Sequence, residues 1–167
     1  IEHYLSVIAD KTGSLVAASG QLSAIFAEAD PAFEPVLVEY GEKVGVAFQL
    51  ADDVIDVTGI KVKSGKSPGT DLREGVPTLP VLLLRRAAED GDQSAVELLT
   101  LIDGDLSSDE ALAEAVAGLR EHPVTAESWV VARQWANEAI AALAPLPEGV
   151  VKDSLSNFAL AVVDRAS

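Results

Sequence analysis

Apolar residues return at helical intervals along almost all of this chain, and strand-type alternation is nearly absent. In the first thirty residues Leu5, Ile8, Leu15, Leu22, Ile25 and Phe26 follow the helical period. That spacing predicts one long helix, or two joined near Gly13. Asp30-Pro31 restarts the chain, with Asp30 as N-cap and Pro31 in the first helical position. A second long helix is predicted from there to Gly59, which suits a C-cap. Residues 60–77 hold Gly65, Gly69, Gly75, Pro68 and Pro77 and break the helical pattern. A buried helix follows in "TLPVLLLRRAAEDG", with Thr78 as N-cap. Four more helical segments open at Asp92, Ser107, Thr125 and Pro147. Ser108 lacks a capping-box acid at Ala111, but Asp109 and Glu110 suit a helix N-terminus. The predicted class is all-α, a helical bundle entered part-way through.

Composition narrows the function. With 167 residues, 49% of them hydrophobic, the chain fits one compact domain with a large core. No apolar run reaches the 18 or so residues a membrane span needs, and no signal pattern opens the chain. Cysteine is absent, which excludes disulfides and thiolate metal sites. A cytoplasmic location is the simplest reading. The net charge of −15, from 12 basic and 27 acidic residues, repels a phosphate backbone, so nucleic acid is not expected as a partner. The chain has no methionine and begins at Ile1 in what reads as the middle of a helix. A fragment is therefore expected.

The stretch "AFQLADDVIDVTG", residues 47–59, puts acid into an apolar helix. Gln49, Asp52, Asp53 and Asp56 are spaced i, i+3, i+4 and i+7, which is one face. Val46, Phe48, Leu50, Val54 and Ile55 occupy the others. Like charges at these spacings cost roughly 0.2–0.5 kcal/mol a pair. Their place before the helix C-terminus costs about 0.3–1 kcal/mol more per group. A hard divalent cation offsets both, because carboxylates with retained waters suit Mg²⁺. A solvated acidic helix face is the competing reading. The EF-hand spacing and glycine are missing, which excludes a Ca²⁺ loop of that type.

The next segment carries the opposite charge. Lys61, Lys63, Lys66 and Arg73 fall within 13 residues, in a segment with three glycines, Gly65, Gly69 and Gly75. Such a loop is suited to fold over a metal-bound phosphate, and an ordinary solvated loop is the alternative. His3 and His122 show no ligand spacing. Trp129 and Trp135 are expected in the core or at its edge.

"GVAFQLADDVIDVTG" followed by "SGKSPGTDLREGVPTLPVLLL" resembles the second aspartate-rich region of the trans-polyprenyl diphosphate synthases. Lys66, Gly69 and Asp71 keep the order and near-usual spacing of that family's G-K-x-x-G-x-D motif. "DKTGSLVAASGQL" is similar to its preceding K-T segment, and "LPEGVVKDSLSNFALAVVDR" to its C-terminal helix. The resemblance spans nearly the whole chain, and "EGVPTLP" most resembles the long-chain branch.

The resemblance implies a helical bundle of the isoprenoid synthase type, of which residues 1–167 are the C-terminal part of a single domain. It implies prenyl transfer: ionisation of an allylic diphosphate, attack by isopentenyl diphosphate, and loss of a proton. Asp52, Asp53 and Asp56 would hold Mg²⁺ against the allylic diphosphate, with Asp52 the foremost direct ligand. Lys11 and Lys66 would grip the same diphosphate. Thr12 and Gln49 would lie beside the reacting carbons, where their oxygen dipoles stabilise an allylic cation. Asp71 would orient metal-bound water. A homodimer is implied for the full-length enzyme.

The family also carries a first D-D-x-x-D and cations for isopentenyl diphosphate, and neither is found here. This chain alone is expected to be inactive. The alternatives are a non-catalytic interaction subunit of a prenyl synthase and a fragment of a class I terpene cyclase. The cyclase is disfavoured because "DDVIDVTGIK" lacks the acid that closes the cyclase metal motif.

Overall fold

The computed structural model describes residues 1–58 and 68–165. Among them there are helices and turns and no strand. The helices are α1 (Glu2–Ile8), α2 (Ser14–Phe26), α3 (Glu34–Thr58), α4 (Thr70–Arg73), α5 (Leu79–Glu89), α6 (Gln93–Ile102), α7 (Asp109–Glu121), α8 (Pro123–Ala142) and α9 (Val150–Val163). The all-α expectation holds. Contacts divide the chain into two compact units, one of Glu2–Ala51 with Val130–Ser167, the other of Ile1 with Asp52–Trp129.

In the first unit Val36, Tyr40 and Val44 recur every fourth residue along α3. They pack in one core with Ala139 of α8, Leu143 just past its end, and Ala159 and Val162 of α9. The Tyr40 hydroxyl donates to the Leu155 carbonyl at 2.8 Å, so the core's one large polar tip is satisfied. On α3's other flank the contact with α2 is made by glycine. A Cβ on Gly41 would lie 2.7 Å from Ala17 Cα, and one on Gly45 would lie 2.7 Å from Gly13 Cα. The two backbones approach as closely as they do because no side chain separates them.

One helix or two near Gly13 is answered by a π-turn. Residues Ala9–Gly13 form it between α1 and α2. The Ser14 amide donates to Ala9 O, five residues back. The Asp10 carbonyl would take that amide in an α-helix, and it accepts the Ser14 hydroxyl at 2.5 Å instead. The inserted residue shifts α1 out of helical register with α2.

The second unit is a short stack, with α5 on α6 and α6 on α7. Leu79, Leu84, Ala95, Ala115 and Leu119 are fully buried. The N-caps explain the helix starts. Asp92 accepts the Ser94 and Ala95 amides, and Ser108 accepts the Ala111 amide at 3.1 Å. His122 is buried, with Nδ1 accepting the Val124 amide at 3.3 Å and Nε2 facing Ser94 Oγ at 3.3 Å. It joins the ends of three helices, a packing role.

Three local expectations are refined. Asp30 caps Ala32, but Pro31–Phe33 is a 3₁₀ turn and α3 begins at Glu34. Thr78 sits at the N-cap of α5 without a side-chain cap bond and is 2% exposed. The segment read as a break holds the short helix α4. Trp129 and Trp135 are half-buried, at the edge of the core.

Candidate functional site

α3 carries Gln49 and, three, four and seven residues on, Asp52, Asp53 and Asp56. Val46, Ala47, Leu50, Ala51, Val54 and Val57 around them are fully buried. The aspartates lie in the last two turns of the helix, where unsatisfied carbonyls disfavour negative charge. Their exposures differ. Asp53 is 4% exposed, whereas Asp52 and Asp56 are half-buried. No buried side-chain polar atom among the described residues lacks a partner, so the enclosed Asp53 oxygens are satisfied.

The turn opening α4 folds back onto Asp56. The Gly69 amide donates to the Asp56 carbonyl at 2.9 Å, and the Asp71 amide donates to Asp56 Oδ2 at 3.1 Å. One backbone donor thus meets the Asp56 carboxylate and another its main-chain carbonyl, at a helix end that supplies no donor of its own. Gly69 makes this possible. Its φ is +81°, and a Cβ there would lie 2.5 Å from Val116 Cγ2 of α7. The expected role of Asp71 runs through its side chain; the contact observed here is made by its backbone amide.

In the other unit, Thr12 Oγ1 donates to Gln49 Oε1 at 3.2 Å. The π-turn and the glycine contacts bring this pair together. A Cβ on Gly45 would also lie 3.1 Å from the Thr12 carbonyl, so α3 runs against the backbone that carries Thr12. Lys11 is exposed on the same turn. Lys61, Lys63 and Lys66 lie outside the described residues, and Arg73, the fourth cation of the expected basic loop, pairs with Asp109 of α7 at 2.6 Å.

Of the expected site residues, the structure joins Thr12 to Gln49, and Asp56 to Asp71. It does not draw the acids into a cage: among the described residues no group of three or more His, Asp or Glu side chains is placed to hold a metal ion. Two contributors were not anticipated. One is the glycine set of α2 and α3, whose signal is the small-x-x-x-small spacing of Gly41 and Gly45. The other is Arg165, whose guanidinium lies 4.3 Å over the Phe48 ring beside Gln49.

Residues 1–119 match the family model for polyprenyl synthetase. The chain is 43% identical over 148 residues to a nonaprenyl diphosphate synthase of Mycobacterium tuberculosis, covering 89% of this chain and 43% of that one. It is 36% identical over 163 residues to an octaprenyl diphosphate synthase of Haemophilus influenzae, covering 98% and 49%. A crystal structure of geranylgeranyl pyrophosphate synthase from Corynebacterium glutamicum, complexed with calcium and isoprenyl diphosphate, superposes with a TM-score of 0.86 at 37% identity. That match covers 100% of this chain and 51% of that one. The chain thus spans about half the length of the relatives it matches.

Proposed function

The chain belongs to the polyprenyl synthetase family, and from that premise we propose that it serves in Mg²⁺-dependent prenyl transfer, the elongation of an allylic diphosphate by isopentenyl diphosphate. In this reading residues 1–167 supply the C-terminal part of one isoprenoid synthase domain and one of its two metal faces. The observation that carries the reading is the acidic stripe at the end of an otherwise buried helix, tied through Asp56 to the Gly69–Asp71 turn.

The donor set fits Mg²⁺. All three side chains offer only oxygen, and no thiol competes. Mg²⁺ is ordinarily held by one or two carboxylates together with substrate phosphates and water, not by an all-protein cage. A stripe without a preformed cluster matches that habit. Asp52 is half-buried, more open than Asp53, and it would be the principal ligand. Asp56 keeps lone pairs beyond the one that takes the Asp71 amide. Asp53 is the most enclosed, so its part is to hold negative charge behind the other two.

When bound, the metal supplies Lewis acidity toward the leaving diphosphate. The chain's own residues do the rest. Lys11 and Lys66 place point charges on the same diphosphate. Thr12 donates its proton to Gln49, which leaves the hydroxyl oxygen's lone pairs to face a developing allylic cation. Gln49 is held in one orientation by that bond and offers its own oxygen dipole. The buried apolar turns around the stripe limit the water that would capture the cation.

The test is Asp52→Ala in an assembly that has both metal faces. Turnover is expected to fall by about 10²–10³, the usual loss for one preorganised electrostatic partner. Turnover near the parent level at saturating Mg²⁺ removes Asp52 from this role.

A further inference from the structure

We propose that the cavity behind α4 is a binding site for a small monoanionic acid, a carboxylate on an apolar body, and that α4 relays its occupancy to Asp56. Every residue that lines it belongs to the unit of Ile1 with Asp52–Trp129. Its volume is about 630 Å³, within the roughly 300–1,000 Å³ of small-molecule pockets. The apolar lining comes from three helices and a loop: Leu72 of α4, Val81 of α5, Ile102 of α6, and Leu106 beyond it, all buried. Such a surface takes the ligand's apolar body out of water.

The charged lining selects the other end of the ligand. Arg73 and Arg85 are the cations of the cavity. A guanidinium carries five N–H donors. Asp103 takes two from Arg85, at 3.0 and 2.5 Å, and Asp109 takes one from Arg73 at 2.6 Å. Arg85 is thus held by its two terminal nitrogens, and its Nε edge has the geometry for a second planar anion. Asp103 and Asp105 line the same cavity, so its formal charge is zero. Both are already engaged, Asp103 by Arg85 and Asp105 by the Ser107 amide at 2.9 Å. A cation therefore finds no carboxylate waiting for it. A polyanion meets two like charges across a cavity whose guanidiniums are already half neutralised. A single carboxylate is the charge that fits.

A run of backbone bonds connects this cavity to α3. The Asp71 amide donates to Asp56 Oδ2 at 3.1 Å. The Asp71 carbonyl accepts the amide of Val76, a lining residue, at 2.9 Å. Leu72 and Arg73, the next two residues of α4, line the cavity as well. Asp71 therefore holds the acid of α3 on one side and the cavity wall on the other. With four residues, α4 is a single turn and moves as a unit. The site needs no metal at Asp56.

The experiment titrates the full chain with octanoate by calorimetry, with 1-octanol, acetate and metal-free pyrophosphate as separate arms. One octanoate per chain is expected, bound at least tenfold more tightly than any of the other three. Arg85→Gln and Arg73→Gln should each weaken octanoate at least threefold and leave 1-octanol unchanged. Arg73→Gln keeps the Arg85–Asp103 pair, so it tests the site even where Arg85→Gln loosens the fold. Arg133→Gln, a cation of the other unit, should change nothing. Saturating octanoate should also slow hydrogen exchange at the Asp71 amide at least threefold. No saturable binding, 1-octanol or pyrophosphate binding as tightly as octanoate, or octanoate affinity unchanged in both cavity-arginine variants each overturns the site. Octanoate binding with unchanged exchange at Asp71 overturns the relay.

Discussion

The Thr12 hydroxyl reaches the Gln49 amide oxygen at 3.2 Å, across 37 residues of sequence, because nothing larger than hydrogen stands between their backbones at Gly13 and Gly45. The bond fixes which atom of the amide faces Thr12. Replacing Thr12 with valine keeps the shape and removes the donor. Stability is expected to fall by about 0.5–1.5 kcal/mol, the usual net worth of such a bond. Thr12→Ser is expected to retain most of it. Urea denaturation of both variants measures the difference.

Gly41→Ala tests the close helix contact itself. The added methyl would meet the Ala17 Cα and the Val16 carbonyl at 2.7 Å, and both are backbone that has no rotamer to yield. A loss of about 1–3 kcal/mol or more is expected from overpacking. Gly75→Ala is the control, with nothing within 4 Å of its Cβ but a φ of +68°. Its penalty is conformational strain of about 1–2 kcal/mol. Solving the Gly41→Ala structure should show α2 displaced from α3, whereas Gly75→Ala should leave both in place.

Acid is expected to loosen the start of α6. The Ser94 hydroxyl, and then the Ala95 amide, hold the Asp92 carboxyl below the usual carboxylate range. A depressed folded-state value means that the group's stabilisation is present above the unfolded value and is lost as pH falls through the folded one. The window therefore lies below about pH 4. Asp92→Asn should flatten the acid limb of the stability curve while changing little near neutrality, since asparagine also caps. A limb as steep as in the parent would assign acid sensitivity to other carboxyls, among them Asp103, which Arg85 holds low in the same way.

These 167 residues alone are expected to make no polyprenyl diphosphate. In the proposed reaction two diphosphates and a leaving group need neutralising, and on that reading the chain offers one acidic metal face and two matched lysines. The assay is labelled isopentenyl diphosphate with an allylic primer, using protein of confirmed intact mass. Product at a rate near that of the matched enzymes would show that the site is complete without another segment.

How much of this could be read in advance depends on the range of the forces involved. The helices were legible because their periods are local, and the stripe was legible because helix geometry alone aligns Gln49 with the three aspartates. Asp30-Pro31 marked a start for the same reason. The π-turn was not legible. It is set where Gly13 meets the Glu42 carbonyl, a contact 29 residues distant in sequence, with a Cβ on Gly13 falling 3.0 Å from that oxygen. Nor was α4, whose four residues are anchored by an acid 15 positions upstream. Thr78 carries a good capping side chain, yet it is 2% exposed and makes no such bond. The family resemblance supplied the roles of Lys11, Lys66 and Asp71, which composition and spacing do not assign.

Asp56 Oδ2 accepts the Asp71 amide, and the same carboxylate belongs to the stripe proposed to face a metal ion. One atom therefore has two claimants. A cation that withdraws electron density from the carboxylate weakens its hold on that amide, and a turn held firmly keeps the oxygen partly engaged. By thermodynamic reciprocity each must shift the other by the same factor. The Asp71 amide is thus a built-in gauge: its resonance frequency reads the charge felt by Asp56, from inside the backbone and without a label on the substrate.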